Sequence, residues 1–324
     1  MKNFWVKRMF KVVLTLVLLF VFMMSSPRLL GWLYPDRAPV GYHFERLDYL
    51  AVGVGLESLV ERKPTVPHAV HEIKNIEYKR VGERSLQLDL YLPKQLNEQA
   101  PLLVFIHGGG WRTGKRADYL PYLIDFAEKG YATASVSYRL VKDSIYPACV
   151  EDIQDAMQWV FQNGESYGYD TSRVALIGGS AGAHLAMLAA YGWHREGDKP
   201  AKFPIKAVVD IYGPVDFRIE YAQTQPLVTG FIGHAYADKP ELYWEASPAR
   251  YLSADDPPTL ILQGTSDQLL PPSQSDMLKE ELDRLGVPCE YYRFPLWPHA
   301  MDVVQRVNDY AQLKMDTFFE KYLH

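Results

Sequence analysis

Three residues in the second half of the chain have the side-chain types that nucleophilic acyl transfer requires. Ser180 sits in Gly178-Gly179-Ser180-Ala181-Gly182, where the apolar run "RVALIG" passes into the helix-like "AGAHLA". A G-x-S-x-G between strand and helix holds a serine on a sharp turn with its hydroxyl exposed. A side chain at Gly178 or Gly182 is expected to strike the neighbouring strand or helix. The free N–H groups of a helix starting at Ala181 would face the same spot and favour negative charge there. A serine hydroxyl is a weak nucleophile at neutral pH and needs a base. For a serine on such a turn, the acid and the base follow later in the chain, in that order. Asp267 follows the apolar run "TLILQG", and His299 follows "CEYYRFP". His299 is expected to take and return the serine proton, with Asp267 orienting the ring.

Other acids and histidines fit less well. Asp302 lies only three residues beyond His299. Asp210 falls inside or at the end of a strand and reads as structural. Asp255 and Asp256 precede their strand and so sit at the wrong edge. His184 lies one turn into the helix after the serine and reads as a packing or capping residue. His107 precedes a glycine run and reads as a holder of that loop. His43, His68, His71, His194, His234 and His324 have no strand-end context.

A second stretch points to the same chemistry. In "PLLVFIHGGGW" a buried strand runs into Gly108, Gly109 and Gly110, then Trp111. Glycines let backbone N–H groups approach a ligand without Cβ interference. Together with the Ala181 N–H they would form an oxyanion hole, where losing one donor typically costs ~10²–10³ in rate. Phosphate binding is the competing use of such a turn. No G-x-x-x-x-G-K-[ST] is present, and no G-x-G-x-x-G follows the first strand. Trp111 and Trp297 lie close in sequence to these residues and are expected to touch substrate, which points to a short-acyl or aromatic ester.

The elements that must position these residues can be read from periodicity. "IKNIEYKRV" and "LQLDLYLP" alternate as an antiparallel hairpin does. Six later runs, around 101–106, 131–140, 173–179, 206–212, 258–264 and 289–294, read as strands, several of them continuously apolar. Such strands are buried on both faces, as in parallel sheets covered by helices. Helices are expected at 117–129, 148–163, 181–191, 271–286 and 300–321, the fourth closing at Gly286. The sum is an α/β fold with one doubly wound, mostly parallel sheet of eight strands. Residues 215–257 are too long for a simple crossover and carry Phe217, Tyr221, Phe231, Tyr236, Tyr243 and Trp244 among their aromatic residues, which reads as a lid or binding loop.

The bulk numbers narrow the class. The chain has 324 residues, a net charge of −5 and no dense basic stripe beyond its start, which argues against nucleic acid as a partner. Two cysteines make no disulfide framework, and no Cys/His cluster suggests a metal site or a cofactor. The N-terminus differs from the rest. Lys2, Lys7, Arg8 and Lys11 precede an uncharged apolar run over 12–24. That pattern reads as a secretory signal or a membrane anchor over residues 1–30, with the positive end in the cytoplasm and the rest exported. The run is short of the ~20 residues that span a bilayer, which favours a signal core, but no clear A-x-A-like site follows it. Residues 31–69 read as a linker or cap segment with some helix, and 70–324 as the catalytic domain.

With HGGGW, GGSAGAHLA, a late Asp and a later His in place, the sequence resembles the α/β-hydrolase fold. Within it, the chain is similar to hormone-sensitive-lipase-like esterases and to esterases of the acetyl and feruloyl type. The resemblance covers about 70–324. It implies a carboxylesterase with Ser180, Asp267 and His299 as triad, and oxyanion donors at Gly109, Gly110 and Ala181, with Gly108 as a further candidate. The strand order it implies puts Cys149 and Cys289 on different sides of the sheet, as free thiols. The small-molecule ester is the expected partner. Amide hydrolysis by a peptidase or arylformamidase on the same scaffold remains open, because the triad serves both. A non-catalytic binding module is at odds with all three positions being filled.

Overall fold

The computed structural model describes residues 2–42, 45–95, 99–195 and 202–324; His43 lies outside the described residues. The chain begins with α1 (Lys2–Leu33) and the short α2 (Glu45–Gly53). The two alternating stretches form β1 (Val70–Val81) and β2 (Arg84–Pro93), an antiparallel pair joined at Gly82-Glu83. From there strands and helices alternate. β3 (Ala100–Ile106) leads through a 3₁₀ turn to α3 (Leu120–Glu128) and β4 (Ala132–Val136). Next come α4 (Ala148–Tyr167), β5 (Tyr169–Gly179), α5 (Ala181–Tyr191) and β6 (Ile205–Ile211). Three short helices follow, α6 (Glu220–Thr224), α7 (Pro226–Ile232) and α8 (Pro240–Glu245). β7 (Thr259–Gly264), α9 (Ser273–Leu285), β8 (Cys289–Phe294) and α10 (Gln305–Leu323) complete the chain.

The eight strands form one sheet in the order β1-β2-β4-β3-β5-β6-β7-β8. β2 is antiparallel to both its neighbours, and all other pairs are parallel. The continuously apolar sequence of β3 has the expected consequence. Leu102, Val104 and Ile106 pack on one face with Ile153 and Met157 of α4, Leu185 and Leu188 of α5, and Leu278 of α9. Leu103 and Phe105 pack on the other with Leu123 and Phe126 of α3 and Phe318 and Phe319 of α10. Side chains alternate across a strand, so a strand covered on both sides must be apolar at every position.

The register aligns the C-terminal strand ends. Ile106 of β3 pairs with Gly178 of β5, and Gly178 with Asp210 of β6. Residues just past this row, from β3, β5, β6, β7 and β8, therefore emerge along one rim.

Four details refine the sequence reading. α10 begins at Gln305, because Ala300 takes φ +59° and residues 301–303 form a separate 3₁₀ turn. In the segment 31–69, expected to be a partly helical linker, the described residues beyond α1 hold one helix, Glu45–Gly53, and Leu59 bridges to Val304. The long connection 215–257, read as a lid or binding loop, is built of the short helices α6, α7 and α8. The apolar run at the start is part of a longer helix. Phe4–Leu33 is long and apolar enough to cross a membrane, and its large side chains from Phe4 to Phe22 are exposed. Cys149 and Cys289 are both free, and burial raises both thiols, Cys289 to about 12.

Candidate active site

Ser180 is held at φ +55°, ψ −123°, between the end of β5 and the first turn of α5. Its N–H donates to the Ile211 carbonyl at 2.8 Å, tying the turn to the adjacent β6. A non-glycine residue in such a conformation costs of order 1–3 kcal/mol and persists only where its surroundings impose it. Here they do. A Cβ on Gly178 would overlap the backbone of Gly182 and Ala183. One on Gly182 would overlap the Ile106 carbonyl of β3, and one on Gly179 the Tyr119 hydroxyl. The glycines let the strand, the turn and the helix come together.

The two partners arrive from the neighbouring strand ends. His299 Nε2 lies 3.1 Å from Ser180 Oγ, and its Nδ1 lies 2.7 Å from Asp267 Oδ2. An ionised carboxylate only accepts, so Nδ1 carries the proton and Nε2 presents its lone pair to the serine. Asp267 is buried and fixed from behind. Its Oδ1 accepts the N–H groups of Leu269 at 2.9 Å and Leu270 at 2.8 Å, and Gln263 Nε2 donates to Oδ2 at 3.3 Å.

The alternatives weighed from sequence have other engagements. Asp302 accepts the Tyr212 hydroxyl. Asp210 accepts the Gly213 N–H at 2.7 Å, and burial raises its pKa to about 7. His184 makes a 2.7 Å contact from Nε2 to the Ala246 carbonyl, and burial lowers it to about 3. His107 contacts the Gly108 carbonyl at 2.9 Å, stacks on Tyr138, and is also lowered by burial. Asp256 accepts from the Ser253 N–H and pairs with Lys202.

The glycine run meets Ser180 from β3. A Cβ on Gly108 would stand 2.6 Å from the Gly179 carbonyl oxygen and 3.5 Å from Ser180 Cβ. Gly109 (φ +103°) and Gly110 (φ +59°) both use backbone that side chains disfavour. The Gly109 carbonyl accepts from Arg112 and Thr113 at 3.1 Å each, which closes the loop. Among the described residues, the N–H groups of Gly109 and Gly110 have no protein acceptor. Ala181, as the first residue of α5, has no intrahelical partner for its own N–H. These donors are available to an anion formed beside Ser180.

Two cavities meet at Ser180 and Gly110. One is a small apolar pocket of about 30 Å³, lined by Trp111, Phe217, Leu227 and Val228 among others. Trp111 is buried there at φ +57°, stacked on Phe231 with centroids 4.3 Å apart. The other cavity is about 780 Å³ and takes in His299, Tyr119, Tyr212 and the exposed residues Arg62 and Lys63.

Trp297 is a correction. It lines neither cavity. Its Nε1 donates to the Pro39 carbonyl at 2.9 Å, and Arg306 lies over its ring at 4.9 Å. Leu296 turns the chain at φ +64°, so Trp297 enters the core while His299, two residues on, faces the rim. Proximity in sequence is a poor guide across such a loop.

Two features escaped the sequence reading. Tyr212 packs its ring 4.6 Å from that of His299. Its place just past β6, on the same rim as the other site residues, was an available signal. The cavity wall at 59–63 carried none, since irregular backbone has no periodicity to read.

This sheet order, the serine on the β5–α5 turn, and the acid and base past β7 and β8 define an α/β hydrolase. A family model, BD-FAE, matches residues 88–282, and the chain belongs to that family. It is 31% identical over 238 residues to the esterase LipQ of Mycobacterium tuberculosis, covering 70% of this chain and 56% of that protein. The chain thus spans about half the length of the curated relatives it matches. Among solved structures it is similar to a bifunctional GH43-CE protein of Bacteroides eggerthii, with 26% identity, TM-score 0.68, and coverage of 77% of this chain and 38% of that one. It also shares its fold with a thermophilic esterase of Thermogutta terrifontis, at 22% identity and TM-score 0.66, covering 81% and 95% of the two chains.

Proposed function

We propose that this protein is a serine carboxylesterase acting on short-acyl esters, with Ser180, His299 and Asp267 as its catalytic triad. The observation that carries the reading is the continuous contact from Ser180 Oγ to His299 Nε2 and from Nδ1 to Asp267. Ser180 Oγ attacks the ester carbonyl as its proton passes to His299. The tetrahedral oxyanion takes hydrogen bonds from Gly109, Gly110 and Ala181. The C–O bond to the alcohol then breaks, and His299 returns the proton to the departing alkoxide. Water, deprotonated by His299, attacks the acyl-serine. The carboxylic acid leaves, and the proton returns to Ser180. The small pocket beside Ser180 has space for only a few carbons, which supports a short acyl group. Relatives named as esterases support the reaction class.

The test is hydrolysis of p-nitrophenyl esters of increasing chain length by the wild type and by Ser180→Ala. Losing a triad member typically costs ~10⁴–10⁶ in kcat. A folded Ser180→Ala protein with wild-type activity would overturn the assignment. Formanilide and peptide substrates in the same panel separate ester from amide preference.

Residues 1–30 act as the membrane-directed segment in this reading, 31–69 dock onto the domain, and 70–324 form the catalytic unit outside the cytoplasm. The exposed apolar length of α1 and the cationic residues at its start support that topology.

A further inference from the structure

The two cavities at Ser180 are unequal in one respect that bears on substrate. His299 lines the large one and not the small one. An alcohol leaving the tetrahedral intermediate must lie beside His299 Nε2, because that nitrogen returns its proton. The alcohol half of the ester therefore belongs in the large cavity, and the acyl half in the small apolar pocket.

The wall of the large cavity is unbalanced in charge. Arg62, Lys63 and Lys115 line it, reaching it from two separate chain segments. None of the three has an ion-pair partner among the described residues. The next residue along, Arg116, behaves differently: it is spent on Asp89 at 2.9 Å and on Asn75 at 2.6 Å. Two carboxylates face the same cavity, and both are engaged. Asp118 accepts the Lys115 backbone N–H at 2.9 Å. Asp302 is buried and accepts the Tyr212 hydroxyl; burial raises its pKa, and the nearby charges of His299 and Arg62 act against that rise. Three cations thus face the space that receives the alcohol, against two carboxylates, and none of the three is held in a close ion pair among the described residues.

We propose that the preferred substrate carries an anionic group, a carboxylate or a phosphate, on its alcohol half, and that Arg62, Lys63 and Lys115 select for it. The inference rests on the esterase reading above and extends it. Each contact is solvent-accessible, so each is individually weak and screened by salt. Acting together they amount to a preference of about tenfold at low ionic strength, the sum of a few such exposed pairs.

The experiment compares three acetyl esters of matched phenols: 3-hydroxybenzoate, 3-hydroxyphenylphosphonate and the neutral 3-hydroxybenzamide. The full-length protein is assayed in a neutral detergent. Each kcat/KM is divided by the ester's own hydroxide-catalysed rate, which removes differences in leaving-group reactivity. The expected result is a preference of about tenfold for at least one anionic ester over the amide, carried mainly in KM and shrinking at high salt. The better of the two anions distinguishes a carboxylate from a phosphate ligand. The ratio should fall toward one in the double variant Arg62→Gln/Lys63→Gln and fall in part in Lys115→Gln, while Arg62→Lys and Lys63→Arg retain it. A ratio of one in the wild type, or a ratio untouched by the glutamine variants, overturns the proposal and leaves the esterase reading standing. Cleavage of none of the three esters overturns both.

Discussion

Ser180 holds a left-handed backbone that only its neighbours make tolerable. Gly182→Ala places a methyl group on the Ile106 carbonyl, so strand and helix must part. The expected outcome is destabilisation of at least about 1–3 kcal/mol, as for other strained or overpacked sites, with ester hydrolysis falling further than stability does. Thermal melts and p-nitrophenyl acetate rates on one preparation check it. Asp210 offers a test by pH. Burial raises its folded pKa to about 7 from the usual carboxylate value near 4. Between these values the folded state binds more protons than the unfolded one, so stability from this group falls as pH rises through the window. Asp210→Asn keeps an acceptor for the Gly213 N–H and removes the titration. The variant should gain on the wild type by up to about 4 kcal/mol at pH ~8, from roughly three units at 1.36 kcal/mol each, and the gain should vanish near pH ~4. Urea unfolding across that range is the measurement; a gain independent of pH would contradict it.

At the scale of elements, packing of helices on the sheet is expected to set stability, and the short helices at Ser180 to set selectivity. Phe126 of α3 is fully buried against Phe105 of β3 and Phe319 of α10. Phe126→Ala leaves a cavity between helix and sheet and should cost about 3–5 kcal/mol in chemical denaturation. The remaining activity per folded molecule should change little, since Phe126 lines neither cavity at Ser180. α7 works in the opposite way. Its Leu227 is only half-buried yet lines both cavities at Ser180. Leu227→Ala widens the acyl pocket with little loss of core. The chain-length optimum for p-nitrophenyl esters should move up by one or two carbons, with a modest fall on acetate. An unchanged optimum would mean that α7 does not bound the acyl group.

The whole molecule is held to its N-terminal helix by a small charged cluster. Glu57 is buried between Arg306 at 2.8 Å, Arg28 at 3.6 Å and the Tyr42 hydroxyl at 3.0 Å. Met24 of α1 packs beside it with Tyr42 and Ala51. Burial lowers the Arg306 pKa, and Glu57 offsets that loss. Glu57→Ala leaves the Arg306 charge unpaired and should cost about 3–5 kcal/mol, the usual effect of breaking a buried pair from one side. The same cluster joins α1 to the segment that carries Arg62 and Lys63, so one piece of chain links that helix to the cavity mouth. Deleting residues 1–33 should shift the protein from the membrane fraction to the soluble fraction while ester hydrolysis persists. Sedimentation and activity assays on both fractions check this.

Much of the site was legible before any tertiary structure. The glycines around Ser180, the strand ends before Asp267 and His299, and the HGGGW run are local signals. They answer to short-range sterics and to the two-residue period of buried strands, and these act within a few residues of chain. Ser180, Asp267, His299 and the eight strands could be read for that reason. Trp297 could not, because one left-handed residue at Leu296 turned it from the rim into the core. Nor could the positive wall at 59–63. Its place beside the serine depends on the Leu59–Val304 bridge and on Glu57 meeting Arg306, contacts between segments more than 240 residues apart. Residue types and local spacing determined which groups do chemistry. Which substrate face they meet was decided only by long-range packing, because that depends on where distant, aperiodic chain comes to rest.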